Sequence, residues 1–262
     1  MPPPREYASF LGGWVDIMAV LKQLQQSGRC TIVVGQESRC TDCLVREAGI
    51  CAALTEPELS QLARTSRQIE KKPGEAIVRQ GDAVEAYYNI VEGHVRVSRT
   101  TEDGRRFITG FLGRGDFIGL AQANEHAATV EAIDHVTLCR FPQRDLRALM
   151  EDLRPLERSL NSATAHELVL AQDHMMLLGC RTARERLATF LLSRLRRPPG
   201  GGLPTVIDLP MSQTDMADHL GLRLETVNRL LAALRRDGVI GRTVDRRALL
   251  LDRDSLRAMA GG

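Results

Sequence analysis

The chain lacks any run of about 18 consecutive apolar residues, so no ordinary membrane-spanning helix is expected. It also lacks an excess of charge of either sign. The 35 Lys and Arg stand against 33 Asp and Glu, for a net charge of +2. Bulk charge therefore announces no nucleic-acid binder, although a local basic surface still can. The opening stretch MPPPREYASFLGGWVDIMAVLKQ lacks the basic region and small-residue cleavage site of a secretory leader, and Asp16 interrupts its apolar patch. A cytoplasmic location is expected, where thiols stay reduced. The six histidines (94, 126, 135, 166, 174 and 219) show no ligand spacing, and no haem site is expected.

What is present fits a soluble globular protein of 262 residues, with 43% hydrophobic and 26% charged residues. That length accommodates two ordinary domains. The stretch SRCTDCLVREAGIC at 38–51 places Cys40, Cys43 and Cys51 in a C-x2-C-x7-C spacing. In a reducing compartment such a cluster suits metal binding or dithiol chemistry better than a structural disulfide. Iron–sulfur, zinc and a dithiol switch are all open at this point. Cys30 and Cys180 are expected to be passive thiols.

Along the chain, residues 1–37 read as an N-terminal arm in which WVDIMAVLKQLQQ can form a short helix. Thr55, Pro57 and Glu58 make a helix start with a capping box. Between 68 and 142, short β-type runs (EAIVRQGD, YYNIVEG, HVRVSRT, RRFITGFLGRGD, ATVEAID, VTLCRFP) are split by glycines. The Asp-Gly pair at 103–104 marks a hairpin. Several short strands at this spacing predict a sandwich or barrel-like β domain. From 155 to 178 there is no Gly and only the leading Pro. Leu156, Leu160, Ala163, Leu170 and Leu177 recur at helical spacing, and Leu168, Ala171, Met175 and Leu178 form a second stripe. Two stripes predict a long helix packed on two sides, one against its own domain and one against a partner helix in a homodimer. Gly179 is expected to end it. The first stripe, with Asp173 on it, is taken as the dimer seam, where two facing carboxylates would oppose association.

The last third predicts a DNA-reading unit. Thr182 with Glu185, and Ser212 with Asp215, form capping boxes. Gly221 separates a helix through Leu220 from a second helix over 224–236: helix, tight turn, helix. In the second helix Leu224, Val227, Leu230, Leu231 and Leu234 make the expected buried face. Glu225, Asn228 and Arg229 share the opposite face near its N-terminus, where a recognition helix meets base edges. Seven arginines (223, 229, 235, 236, 242, 246 and 247) face Glu225, Asp237 and Asp245 between 223 and 247. That local excess of four positive charges suits phosphate contact, especially through Arg223, Arg246 and Arg247. VIGRTVDRRALLLD reads as a two-stranded wing.

In the order and character of these elements, 40–256 resembles the Crp–Fnr superfamily of bacterial transcription regulators. GRGDFIGL at 113–120, CRTARERLATFLL at 180–192 and DMADHLGLRLETVNRLL at 215–231 are similar to its segments. The resemblance implies an α+β chain: a cluster-binding segment and cyclic-nucleotide-binding-like β-roll (jelly roll) at 38–154, a dimerisation helix at 155–180, and a winged helix-turn-helix at 181–262. The family's E-x-x-S-R recognition pattern stands here as Glu225-x-x-Asn228-Arg229. Cyclic nucleotide is not expected as ligand: Leu120 stands where nucleotide-binding members have Glu, and Ala127 and Ala128 where they have the phosphate-holding Arg pair.

Similarity to Fnr-type members implies a [4Fe–4S] cluster on Cys40, Cys43, Cys51 and the distant Cys139, with Leu44 and Ile50 limiting oxygen access. The expected function is an oxygen-responsive, homodimeric DNA-binding regulator, not an enzyme. Its partners would be RNA polymerase and a palindrome resembling TTGA…TCAA. Zinc or thiol-based sensing is the alternative within the family, and a thiol oxidoreductase using Cys40 and Cys43 the alternative outside it.

Overall fold

The computed structural model describes residues 40, 43, 45–119, 124–196 and 205–261. The expected arm with Cys30, and Leu44 and Leu120, lie outside the described residues.

A 3-10 turn over Gly49–Ala53 leads into helix α1 (Glu56–Thr65). The Glu58 carboxylate accepts from both the backbone N–H and the hydroxyl of Thr55, at 2.8 and 2.7 Å, which starts α1 where the sequence predicts. Eight strands follow: β1 (Arg67–Lys71), β2 (Ala76–Val78), β3 (Ala86–Glu92), β4 (Val95–Thr100), β5 (Arg106–Leu112), β6 (Phe117–Ile118), β7 (Thr129–Ala132) and β8 (Val136–Pro142). They form two antiparallel four-stranded sheets, ordered β1-β8-β3-β6 and β2-β7-β4-β5. The predicted hairpin at Asp103–Gly104 joins β4 and β5; Gly104 takes φ +82, open to glycine at no steric cost. Val78, Ile90, Val95, Ile118, Val130, Val136 and Leu138 pack together in the roll.

Helix α2 (Gln143–Asp152) closes one end of the roll and hands over to α3 (Arg154–Cys180), a 27-residue rod about 40 Å long at a rise of about 1.5 Å per residue. The expected stop at Gly179 does not occur. The turn carbonyls there are already satisfied: Arg181 N–H donates to Leu177 and the Arg186 guanidinium to Leu178 at 2.6 Å. The chain leaves the helix at Arg181, just before the Thr182–Glu185 capping box of α4 (Ala183–Ser193).

The C-terminal unit holds α4, β9 (Leu195–Arg196), β10 (Val206–Asp208), α5 (Gln213–Leu220), α6 (Leu224–Arg236), β11 (Arg247–Leu249) and α7 (Arg253–Met259). Its sheet has order β11-β10-β9. The expected wing hairpin is reduced to isolated bridges, Ile240 with Leu250 and Val244 with Arg247, beside β11. Arg246 and Asp245 turn the chain there with positive φ, a geometry that limits regular pairing. No helix among the described residues is long and apolar enough to cross a membrane.

Candidate metal centre and nucleic-acid interface

The four cysteines singled out by sequence line one small pocket, together with Val45, Leu59, Leu62, Asn89 and Phe141. They come from different places in the chain. Cys40 and Cys43 precede the 3-10 turn, Cys51 lies within it, and Cys139 sits on β8, opposite Gln68 of β1 and Asn89 of β3. Burial pushes the Cys51 thiol up to about 12, and the neighbouring Cys40 and Cys43 add to the shift. A thiol in such a setting stays protonated unless a cation supplies the missing charge.

Among the described residues no three His, Cys, Asp or Glu stand in ready metal-binding geometry. The shared pocket and the mutual influence of three thiols establish proximity, not a closed ligand cage. By donor type and place the set suits a thiolate-ligated centre: four sulfurs among Val45, Leu59, Leu62 and Phe141, with Arg46, Ser66 and Asn89 the polar members of the lining and no competing carboxylate on it.

Sequence reasoning missed what shapes this pocket. Gly49, two residues before Cys51, has φ +69, and a Cβ there would lie 2.3 Å from the Gly115 carbonyl oxygen. Only glycine lets the turn approach the β5–β6 loop this closely. Asn89 is buried, and with its amide turned it donates to the carbonyls of Gly115 and Asp116 at 3.3 and 3.2 Å. The glycine at 49 was a readable signal; nothing in the sequence marked Asn89. Ile50, expected to screen a cluster from oxygen, is buried in a core with Leu59, Leu156 and Leu160. The 3-10 turn thus braces the base of α3, and Cys51 and Cys139 pack on the same core.

Those contacts revise the dimer seam. Leu156 and Leu160 are buried in their own chain, and Leu177 packs on the C-terminal core. Leu156, Leu160 and Leu177 of the first stripe therefore serve the protomer, whereas its Leu170 does not. The second stripe is bare except at the half-buried Leu178: Leu168 is 59% and Met175 63% exposed, and Ala171 between them is exposed as well. Val169, Leu170 and Met176 are also uncovered. A helix with this much apolar surface in water calls for a partner. At about 100° per residue, Asp173 lies some 200° round the helix from Ala171, so it does not share that bare stripe.

In the C-terminal unit Ser212 caps α5, its hydroxyl accepting from Asp215 N–H at 3.0 Å. Gly221 closes α5 in the left-handed conformation, at φ +60. Val227, Leu231 and Leu234 bury one face of α6. Leu224 was expected there but is 42% exposed, because it opens the helix beyond the core's edge. Arg223, Glu225, Asn228 and Arg229 all face solvent at the N-terminal end of α6. In the wing, Arg246 is exposed, whereas Arg247 turns inward, 3.9 Å from Asp208. Two histidines that the sequence left scattered come together: His174 of α3 stacks on His219 of α5 at 4.2 Å between ring centroids.

Comparison with known proteins follows the same division. Residues 68–152 match the cyclic nucleotide-binding domain and residues 185–259 the Crp-like helix-turn-helix domain. The chain is 38% identical to the nitrogen fixation regulation protein FixK of Bradyrhizobium diazoefficiens, over 77% of this chain and 85% of that protein. It is 34% identical to the transcriptional activator protein FnrL of Cereibacter sphaeroides, over 85% and 92%. Among solved structures it is similar to FixK2 from Bradyrhizobium japonicum, at 34% identity and a TM-score of 0.68, over 74% of this chain and 96% of that one.

Proposed function

The chain belongs to the Crp–Fnr family of DNA-binding transcription regulators, and from that premise we propose that it senses oxygen through a [4Fe–4S] cluster held by Cys40, Cys43, Cys51 and Cys139. The observation that carries this reading is the convergence of those four thiols on one pocket at the base of α3. When bound, such a cluster supplies an oxygen-labile centre.

The chain's own residues link that centre to DNA. Cys51 lies in the turn whose Ile50 packs with Leu156 and Leu160, so a change in how Cys51 is held acts on the base of the long helix. Further along α3, Leu168, Ala171 and Met175 form the seam with a second copy. A two-fold dimer sets two α6 helices about one duplex turn apart, against a palindrome. Arg229 has the geometry to make two bonds to guanine, Glu225 to accept from cytosine N4 and Asn228 to pair with adenine. The half-sites would resemble TTGA…TCAA. Ala127 and Ala128 offer no charge to a cyclic phosphate, so the roll serves here as a scaffold for the thiols. The regulator would work in the cytoplasm, through RNA polymerase.

The test is selection of binding sites from randomised duplexes, with protein prepared without oxygen and then exposed to air. Recovery of a TTGA…TCAA palindrome by the anaerobic protein alone supports the reading. Equal binding before and after air removes oxygen sensing and leaves the DNA-binding assignment standing.

A further inference from the structure

Strand β3 places Asn89 between two neighbours in one cross-strand row. Its register partner on one side is Cys139 of β8, and on the other Phe117 of β6. Directly opposed residues on one face of a sheet have Cβ atoms about 4.5–5.5 Å apart. The row thus sets the Asn89 and Cys139 side chains side by side, and both line the thiol pocket. Asn89 is 1% exposed, whereas Tyr87 and Ile90 fill the neighbouring buried positions of the strand with apolar side chains. A buried amide destabilises the fold unless its groups are hydrogen-bonded.

Its partners are two carbonyls of the β5–β6 loop. The backbone already ties that loop to β3: Gly115 N–H donates to the Ile90 carbonyl at 2.8 Å, and Ile90 N–H to the Asp116 carbonyl at 2.9 Å. The Gly115 carbonyl receives no backbone N–H among the described residues. It points at the turn that carries Cys51, where a Cβ on Gly49 would lie 2.3 Å from it. Gly115 itself closes on the same turn, since a Cβ there would lie 3.0 Å from the Ala48 methyl. The Asn89 amide meets the Gly115 carbonyl from the sheet side at 3.3 Å, and the Asp116 carbonyl at 3.2 Å.

We propose that Asn89 is the positioning residue of the thiol pocket: its amide clamps the β5–β6 loop against the Gly49 turn, and so holds the Cys51 turn at the Cys139 strand before any metal binds. The contacts run from Cys139 through Asn89 and Gly115 to Gly49, two residues from Cys51. An apolar side chain at 89 would fill the space but leave the Gly115 carbonyl without its donor at the point where loop and turn touch. The turn would then relax away from the loop, and binding would have to draw the ligands back together, which lowers affinity. The inference rests on the thiol-centre reading, not on whether the bound group is iron–sulfur or zinc.

Cobalt(II) takes thiolate ligands and reports them by a sulfur-to-metal charge-transfer band, without an assembled cluster. Titrated into the reduced, metal-free full-length protein, it should bind Asn89→Leu about tenfold more weakly than the parent, as for other groups that orient metal ligands. Gly49→Ala attacks the same contact from the turn and should weaken binding too. The double variant should lose little more than the worse single one, because both break one contact. Ile90→Val trims the roll core at the next residue and lowers stability; it should leave cobalt affinity unchanged, which separates positioning from general loosening. Should Asn89→Leu not fold, Asn89→Ser, whose short hydroxyl cannot span both carbonyls, takes its place with the same expected loss. Unchanged affinity in the Asn89 variant, or an equal loss in Ile90→Val, overturns the positioning role. Losses that simply add in the double variant overturn the route through Gly49. A parent without the thiolate band overturns the thiol-centre reading and this inference with it.

Discussion

The imidazoles of His174 and His219 stack at 4.2 Å, tying the long helix to the first helix of the DNA-reading pair. Burial, then the neighbouring His174, hold the His219 pKa down to about 4, and burial lowers that of His174 as well. Both rings are therefore neutral near neutrality. The Ile108 carbonyl and the more distant Arg194 are the other groups acting on His219.

The opposite case lies a short way off. Burial disfavours charge on His94, but the carboxylates of Asp134 and Asp208 outweigh it and push the pKa up to about 9. Arg196 also approaches the ring, at 3.4 Å. For His94, raised from 6.5, the stabilisation is complete below about pH 6.5 and is lost as pH rises through about 9. For His219, lowered from 6.5, it is complete above about pH 6.5 and is lost as pH falls through about 4. The contact between the C-terminal unit and the roll, where His94 meets Asp208 of β10 and His219 of α5 meets the Ile108 carbonyl, should thus be firmest near pH 6.5 and loosen on both sides. Amide exchange across that range measures it. His94→Gln should flatten the alkaline limb only; an unchanged alkaline limb would show that His94 is not its source.

The bare stripe on α3 predicts a second outcome. Met175→Asp would place two carboxylates in the seam and should drive the anaerobic protein to monomer in sedimentation. Asp173→Ala, on the far side of the helix, should leave the association constant within about twofold, in line with the small effect of most exposed substitutions. A dimer strengthened tenfold by Asp173→Ala would return Asp173 to the seam.

Arg229 and Arg246 should fail in different ways. Arg229→Ala should cost about 1–3 kcal/mol on the preferred site and relax discrimination at its guanine. Arg246→Ala should weaken all duplexes alike and lower the salt dependence by about one phosphate contact. Loss of affinity without loss of guanine preference in Arg229→Ala would remove it from base reading.

The strands, the capped helices and the helix-turn-helix were legible because each rests on local signals: glycine punctuation, capping boxes at Thr55, Thr182 and Ser212, and the apolar period of α6. The four cysteines were found only by pairing a local motif with a distant Cys139 that the resemblance supplied. What the sequence hid was which stripe of α3 faces which neighbour. Both have helical spacing, and only tertiary packing buries Leu156 and Leu160 while leaving Leu168 and Met175 bare. The same holds for His174 and His219, 45 residues apart by number and joined only by the docking of α5.

The central claim is tested most directly by the visible spectrum and the iron and sulfide content of protein purified without oxygen, measured beside Cys139→Ser and Cys180→Ser. The account predicts iron–sulfur absorption, with iron and acid-labile sulfide in equal amounts, in the parent and in Cys180→Ser. Both signals should fade on exposure to air and should be absent in Cys139→Ser. A colourless parent that carries zinc, or full iron and sulfide in Cys139→Ser, would contradict it.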